Sequence, residues 1–145
     1  MNQDTNIKHF QYYAFISYCR KDSEWAKWLQ NKIETYKIPP IVRKESGNKL
    51  PKYIRPIFLD TTDMGIGDIH QSLSNELEDS KNLVVICSPE AANSIWVNNE
   101  IEKYKFFGRE NRIIPFIING TPKPKAITEL QCYPPSLDKD NLGAS

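Results

Sequence analysis

The sequence predicts an α/β domain built on a doubly wound parallel sheet, with helices on both faces. Short apolar segments alternate with segments of helical spacing, the pattern of β–α–β units joined by right-handed crossovers. The segment 83–87, LVVIC, is apolar at every position, as expected for a parallel strand that is covered on both faces. This strand is therefore predicted near the centre of the sheet.

Composition favours one globular domain and gives no sign of a polyanionic partner. The 145 residues include 39% hydrophobic and 26% charged side chains, which fits a single core. We expect one domain over residues 1–145, with its core at about 10–120 and a weakly specified C-terminal segment at 121–145. The net charge is +1 without a dense Lys/Arg block, which argues against nucleic acid or an anionic membrane as a partner.

The chain has neither a membrane-spanning pattern nor a metal-binding pattern. Its apolar runs are too short to cross a bilayer, so we expect a soluble, cytoplasmic protein. Cys19, Cys87 and Cys132 have no C-x-x-C spacing, and His9 and His70 stand alone. No disulfide framework and no metal site are expected, and Cys87 is predicted to be a buried apolar residue.

The first half of the chain predicts two strands and one long helix. Strands are expected at 12–18 and 54–60, and a helix at 21–36 that is capped by Asp22 or Ser23. The polar stretch 41–53 is predicted to be a long exposed loop. The helix has one broad apolar face that we expect in the core, formed by Trp25, Trp28, Leu29, Ile33 and Tyr36.

The second half predicts two further strands and the helices between them. A Gly-containing loop at 61–68 leads into a helix at 69–80, and the strand 83–87 ends at Ser88-Pro89, a cap followed by a first-turn proline. Ser94 offers a second cap, for the helix that carries Trp96 and Glu100. The strand at 112–118 contains Pro115, which lacks a ladder donor and indicates either an edge position or a local irregularity.

Three segments follow the carboxyl ends of predicted strands, at 19–22, 60–68 and 88–96. In open parallel sheets, ligands bind beyond these ends, where the strand order reverses. A functional site is therefore expected to form from these three segments.

Several of these segments together resemble the Toll/interleukin-1 receptor (TIR) domain family. FISYCRKD (15–22) is similar to box 1, and FLDTTDMGIGD (58–68) to the box 2 or BB loop. VVICSPEAANSIWVNNEI (84–101) and NRIIPFIING (111–120) complete a pattern close to the TIR modules of bacterial proteins. The resemblance implies a flavodoxin-like sheet of five strands in the order 2-1-3-4-5.

The resemblance also implies an activity and a set of site residues. Enzymatic TIR domains cleave the nicotinamide–ribose bond of NAD⁺ with a glutamate in a W-x-x-x-E segment, which Trp96 and Glu100 match. Glu100 is then the catalytic residue, and Trp96, Tyr18, Arg20 and Asp60 are substrate-binding residues. NAD⁺ is a consumed substrate here, so no cofactor is expected. Cys19 departs from the basic residue that some enzymatic members have in box 1.

A single carboxylate is chemically sufficient for this reaction. Nicotinamide in NAD⁺ is already a cationic leaving group, so the bond breaks without a general acid. Positive charge then develops on the ribose, and a fixed carboxylate beside that sugar stabilises the transition state. Trp96 lies one helical turn before Glu100 and is placed to wall the cleft.

The biological role implied by the resemblance is bacterial immune signalling. The product would be an ADP-ribosyl-type signal sensed by a downstream effector in anti-phage defence. TIR–TIR self-association that includes the BB loop, Asp60 to Asp68, is expected to switch the enzyme on.

Other interpretations remain open. The domain can instead be a non-catalytic interaction module that acts by homotypic assembly. Tyr18 and Arg20 can simply end a strand and pair with Asp22 or another carboxylate. Asp60 and Asp63 can cap the helix after the BB loop. A phosphoacceptor receiver domain is disfavoured, because Cys87 ends the third strand where a receiver needs an aspartate.

Overall fold

The computed structural model of the protein describes residues 9–60 and 69–137, and the side chains of 9–60 and 73–137. Residues 61–68, which hold most of the predicted BB loop, and residues 138–145 lie outside the described residues. None of the described helices combines the length and the apolar character needed to cross a bilayer.

The described strands form one parallel sheet. They are β1 (Tyr12–Ser17), β2 (Ile57–Leu59), β3 (Ser80–Cys87) and β4 (Ile113–Ile117). The sheet order is β2-β1-β3-β4, and every pair is parallel. This arrangement confirms the α/β doubly wound fold and the 2-1-3-4 part of the expected order. Residues 118–137 contain no further strand, so a fifth strand is not part of the described sheet.

Strand β3 lies inside the sheet, as its sequence predicts. It pairs with β1 on one side and β4 on the other. Its residues Leu83 and Val85 are completely buried, because helices cover both faces of the sheet. Cys87, at its end, is buried as well.

Strand β4 is the edge of the described sheet, and Pro115 is compatible with that place. The main-chain N–H of Ile118 donates to the Cys87 carbonyl of β3. Since successive residues of a strand alternate in direction, the nitrogen of Pro115 points away from β3. The missing donor therefore costs no hydrogen bond in the ladder between β3 and β4.

Within residues 9–60 and 69–137, five α-helices connect the strands and cover the sheet. They are α1 (Ser23–Thr35), α2 (Pro40–Glu45), α3 (Ile69–Glu78), α4 (Pro89–Ala92) and α5 (Ile95–Phe106). The predicted caps of the last two helices are confirmed: Ser88 Oγ accepts from the Ala91 N–H, and Ser94 Oγ accepts from the Val97 N–H. The start of α5, and hence the place of Glu100, is fixed by the Ser94 cap.

The apolar face predicted for α1 is wrong in part. Leu29 is buried and Ile33 half-buried, but Trp25 and Trp28 are 46% and 47% exposed and Tyr36 is 58% exposed. The helix turns the small residue Ala26, which is fully buried, toward the sheet. Because Ala26, Leu29 and Ile33 define the packed stripe, Trp25 and Trp28 fall on its solvent side, where their rings contact each other edge to face at 5.6 Å.

The segment 41–53 is not a simple loop. It is mostly exposed, as predicted, but its first residues belong to the short helix α2. Pro40 takes the first helical position, where its fixed φ favours a helix start and its missing N–H removes no bond. An antiparallel bridge between Lys37 and Tyr53 then closes this insertion at its base.

Two apolar layers enclose the sheet. One, on the side of α3 and α5, contains Phe15, Leu83, Val85, Ile101 and Tyr104, and the other, on the side of α1, contains Ala14, Ile16, Ala26, Leu29 and Ile86. The alternation of Phe15 and Ile16 between these layers follows the two-residue period of β1. The same alternation places Ser17 on the α5 side of the sheet.

Candidate functional site

The segments 19–22 and 88–96, together with Asp60 of the segment 60–68, lie at the carboxyl ends of the strands. Strands β1, β2 and β3 are parallel, so their carboxyl ends lie on the same side, at Ser17, Asp60 and Ser88. Each of these three residues is buried although it is polar. Buried polar groups need partners, and the partners show how this edge is organised.

Glu100 is the central residue of this edge. It lies on α5 and is only 7% exposed. Its Oε1 accepts a hydrogen bond of 2.6 Å from the hydroxyl of Ser17, which is the last residue of β1. The carboxyl group therefore lies directly beside the end of the first strand, shielded from bulk water.

Burial raises the pKa of the Glu100 carboxyl to about 8, because the charged form loses its hydration. The negative charge of Asp60 adds to the rise, whereas the Ser17 hydrogen bond and the positive charge of Lys103 oppose it. The carboxyl of Glu100 is thus poised between its neutral and ionised forms near physiological pH.

Tyr18 and Asp60 adjoin Glu100. The Tyr18 hydroxyl donates to the main-chain carbonyl of Asp60, which ties the ends of β1 and β2 together. Burial is the main cause that raises the pKa of Tyr18, and the charges of Asp60 and Glu100 contribute. The structure therefore brings together three of the predicted site residues.

Trp96 lies one turn before Glu100 on α5 and is half-buried against the core. A small cleft lies between α3 and α5, the two helices that cover this face of the sheet. Its lining comprises Leu73, Ser74, Leu77, Trp96, Asn99, Glu100 and Lys103. Trp96 and Glu100 thus share one cleft, as the W-x-x-x-E spacing predicts for two residues on one helical face.

Arg20 is placed differently from the other predicted residues. It begins the 3-10 turn Arg20–Asp22 and is exposed to solvent, whereas Tyr18 and Asp60 are buried. Its role in substrate binding stays a prediction.

Asp22 was predicted as a possible helix cap, and this is wrong for its side chain. It occupies the N-cap position of α1 but makes no capping hydrogen bond. Its Oδ2 instead accepts hydrogen bonds from Ser88 Oγ at 2.6 Å and from Cys19 Sγ at 3.1 Å. The carboxylate joins the segments after β1 and β3, which is a tertiary role that no local spacing reveals.

Ser17 and Lys103 were missed by the sequence-based reasoning. A signal for Ser17 existed, since it is a polar residue at the last position of β1 that faces the α5 layer. Lys103 lies one turn after Glu100, and its Nζ donates to Ser74 Oγ of α3 at 3.0 Å. Both residues act on the Glu100 carboxyl in the direction of its ionised form.

Among the described residues, no group of three or more His, Cys, Asp or Glu side chains is arranged to bind a metal ion. The cysteines of the described chain are free thiols, and each is buried.

Comparison with known proteins and family models identifies the family of this chain. Comparison with curated proteins gives no match. The family model described as TIR domain matches residues 14–141, which include the last four residues of β1 and the whole of α5. The chain therefore belongs to the TIR domain family.

Proposed function

We propose that this domain is an NAD⁺ glycohydrolase or cyclase that cleaves the nicotinamide–ribose bond. The observation that carries the proposal is the buried carboxyl of Glu100, hydrogen-bonded by Ser17 beside the end of β1 and sharing a cleft with Trp96. A solvated helix face, the ordinary setting of a Glu at this spacing, does not bury its carboxyl. The Glu100 carboxyl also lies beside the carboxyl end of β1, the side of a parallel sheet on which ligands bind, which supports a ligand site.

Each residue has a role that follows from its chemistry. As the C1′–N bond breaks, its electron pair leaves with nicotinamide and positive charge develops on the ribose. The Glu100 carboxylate stabilises that charge in a poorly hydrated site, where electrostatic interactions are strong. Water or an internal nucleophile then forms the new bond to C1′ and releases a proton. Trp96, Tyr18, Arg20 and Asp60 are proposed to bind and orient the substrate.

Substrate binding is proposed to ionise Glu100. The pKa of about 8 leaves much of the carboxyl protonated at neutral pH in the free protein. The nicotinamide ring of NAD⁺ carries a positive charge, and a nearby cation favours the ionised form of a carboxyl group. Binding of NAD⁺ therefore releases a proton and creates the charge that the transition state needs.

The product is proposed to be a linear, cyclic or conjugated ADP-ribose that serves as a signal in bacterial anti-phage immunity, sensed by a downstream effector. Self-association through TIR–TIR contacts, including the BB loop, is proposed to complete the site. The enzyme is then weak as a monomer.

The test is nicotinamide release from NAD⁺ by the wild-type protein and by Glu100→Gln, measured over a range of protein concentrations. We expect release that rises more than linearly with wild-type concentration and is absent in Glu100→Gln. Glu102→Gln is a matched control: Glu102 is an exposed residue on the same helix, and its carboxyl accepts from the Ser136 hydroxyl, a bond that the glutamine oxygen can still accept. Equal release by Glu100→Gln and the wild type would remove Glu100 from the mechanism.

A non-catalytic interaction module is the second candidate. The observation that favours it is the exposed pair of Trp25 and Trp28 on α1, since large apolar side chains on a surface often mark a contact with another protein. Association of the protein that Trp28→Ala abolishes, with no nicotinamide release at any concentration, would favour this candidate over the enzyme.

A further inference from the structure

We propose that Ser17 is a positioning residue for Glu100, whose hydroxyl fixes one carboxyl oxygen and favours the ionised side chain. The inference rests on the proposed function and extends it to the residue that controls when the carboxyl is active. It assigns to the last residue of β1 a role in the reaction although Ser17 itself need not touch the substrate.

The buried position of Ser17 commits its hydroxyl to a hydrogen bond with Glu100. Its side chain is 1% exposed, so no bulk water competes for its hydroxyl, and its Oγ lies 2.6 Å from Glu100 Oε1. A hydroxyl that donates to an ionised oxygen at this distance makes a strong, charge-assisted hydrogen bond. The two residues are 83 positions apart in the chain, so the bond links α5 directly to the sheet.

Ser17, the donor, lies at the end of an interior strand of the sheet. Strand β1 pairs with β2 on one side and with β3 on the other, and Ser17 itself is in register with Val85. Any movement of Ser17 relative to Val85 would break the hydrogen-bonded ladder between β1 and β3. Glu100 thus receives its hydrogen bond from a rigid element, which keeps its carboxyl oriented before any substrate arrives.

Two charged groups near Glu100 act on its carboxyl in opposite directions. Asp60, after β2, disfavours its negative charge, and Lys103, one turn further along α5, favours it. Tyr18 also adjoins Glu100, but its hydroxyl donates to the Asp60 carbonyl. Among the described residues, Ser17 is therefore the hydrogen-bond donor to the Glu100 carboxyl.

The first measurement is kcat/KM for NAD⁺ as a function of pH, which reports the ionisation of groups in the free enzyme. For the assembled wild-type protein, we expect a rise with pH whose midpoint lies near the Glu100 pKa of about 8. In Ser17→Ala, loss of one charge-assisted hydrogen bond should move the midpoint up by about one pH unit and lower kcat/KM at neutral pH by about tenfold. The difference in kcat/KM between Ser17→Ala and the wild type should become smaller as the pH approaches the upper plateau.

Two variants separate this role from a loss of folding. Ser17→Thr keeps the hydroxyl and suits a strand, so it should restore the wild-type midpoint. Ser80→Ala removes another buried hydroxyl, at the opposite end of the sheet, where Ser80 Oγ donates to the Glu76 carbonyl. Ser80→Ala should leave the midpoint unchanged, and a shift as large as that of Ser17→Ala would overturn the proposal.

The second measurement needs no substrate. The carboxyl carbon of Glu100 can be titrated by NMR in glutamate-labelled protein, with its signal identified by its absence in Glu100→Gln. We expect Ser17→Ala to raise the titration midpoint by about one pH unit. If the wild type releases no nicotinamide in any assembly, the proposed function fails, and this titration still decides the Ser17 inference. If the wild type is active and neither midpoint moves in Ser17→Ala, the inference alone is overturned.

Discussion

The carboxylate of Asp22 accepts a hydrogen bond of 2.6 Å from the Ser88 hydroxyl, joining the turn after β1 to the start of α4. Ser88 is fully engaged, because its Oγ also accepts from the Ala91 N–H at 3.0 Å. One bond therefore connects the segment that follows β1 to the segment that follows β3. Loss of this bond should therefore lower the free energy of unfolding.

Asp22→Ala should destabilise the protein by about 1–3 kcal/mol, because it leaves the buried donors of Ser88 and Cys19 without their acceptor. Urea unfolding monitored by circular dichroism measures the change. Glu24→Ala is the control, since Glu24 is an exposed carboxylate in the first turn of the same helix. Equal stability of the two variants would mean that the Asp22 network contributes nothing.

Glu100→Gln should be more stable than the wild type at neutral and mildly alkaline pH. The folded-state pKa of Glu100 is raised from 4.5 to about 8, so between these values the folded state retains a proton that the unfolded state has lost. The wild type therefore loses stability as the pH rises through this window. Glutamine has no such proton, and its advantage should reach a few kcal/mol, in order of magnitude, at the upper end.

Urea unfolding of both proteins at several pH values tests this prediction. The free energies of unfolding should converge near pH 4.5, the ordinary pKa of the side chain, and diverge toward pH 8. A wild type that is more stable than Glu100→Gln at the alkaline end would contradict it. Such a result would mean that the carboxylate is better paired than its burial beside Asp60 indicates.

The sheet could be predicted from the sequence because its signals are local. The all-apolar run of β3 is a local signal, and the prediction that this strand lies inside the sheet is confirmed. The proline of β4 is also a local signal, and it is compatible with the outer place of β4 in the described sheet. The face of α1 could not be predicted in this way. Hydrophobicity alone favoured Trp25 and Trp28 as core residues, but the distance between helix and sheet is set by the small Ala26.

The candidate site was predictable only as a set of segments. The W-x-x-x-E spacing places Trp96 and Glu100 on one face of a helix, and the fold brings Tyr18 and Asp60 close to Glu100. The partners of buried polar groups are different, because they come from distant parts of the chain. The contacts of Glu100 with Ser17 and of Asp22 with Ser88 span 83 and 66 positions, and no local pattern encodes them.

Trp28→Ala should cost much less stability than Leu29→Ala, although tryptophan is the larger side chain. Trp28 is 47% exposed and loses mainly its edge-to-face contact with Trp25, worth roughly 0.5–1.5 kcal/mol. Leu29 is buried against the sheet, and its truncation should cost about 2–5 kcal/mol. Urea unfolding of the two variants compares their losses of stability. A larger loss for Trp28→Ala would mean that the Trp28 ring makes contacts beyond those of the folded monomer.

Gly120→Ala should destabilise the protein more than Gly108→Ala. Both glycines have positive φ, at +86° and +78°, so alanine is strained at either position, by about 1–2 kcal/mol. At Gly120 a Cβ would also lie 2.9 Å from Cys132 Cβ and from the Leu130 carbonyl oxygen, whereas at Gly108 it would meet nothing within 4 Å. Only the first substitution adds a steric clash to the strain.

The difference between the two alanine variants isolates that clash, because the backbone strain is common to both. Gly120 lies where the chain after β4 is bonded to the 130–132 segment, through Thr121 N–H to Leu130 O and Cys132 N–H to Thr121 O. A clash there forces this pair of segments apart and exposes Cys132, which is otherwise fully buried. Gly120→Ala should therefore also speed alkylation of Cys132 by iodoacetamide, read by mass spectrometry, while Gly108→Ala should not. Equal stability and equal labelling in both variants would mean that this C-terminal segment does not pack on the sheet as described.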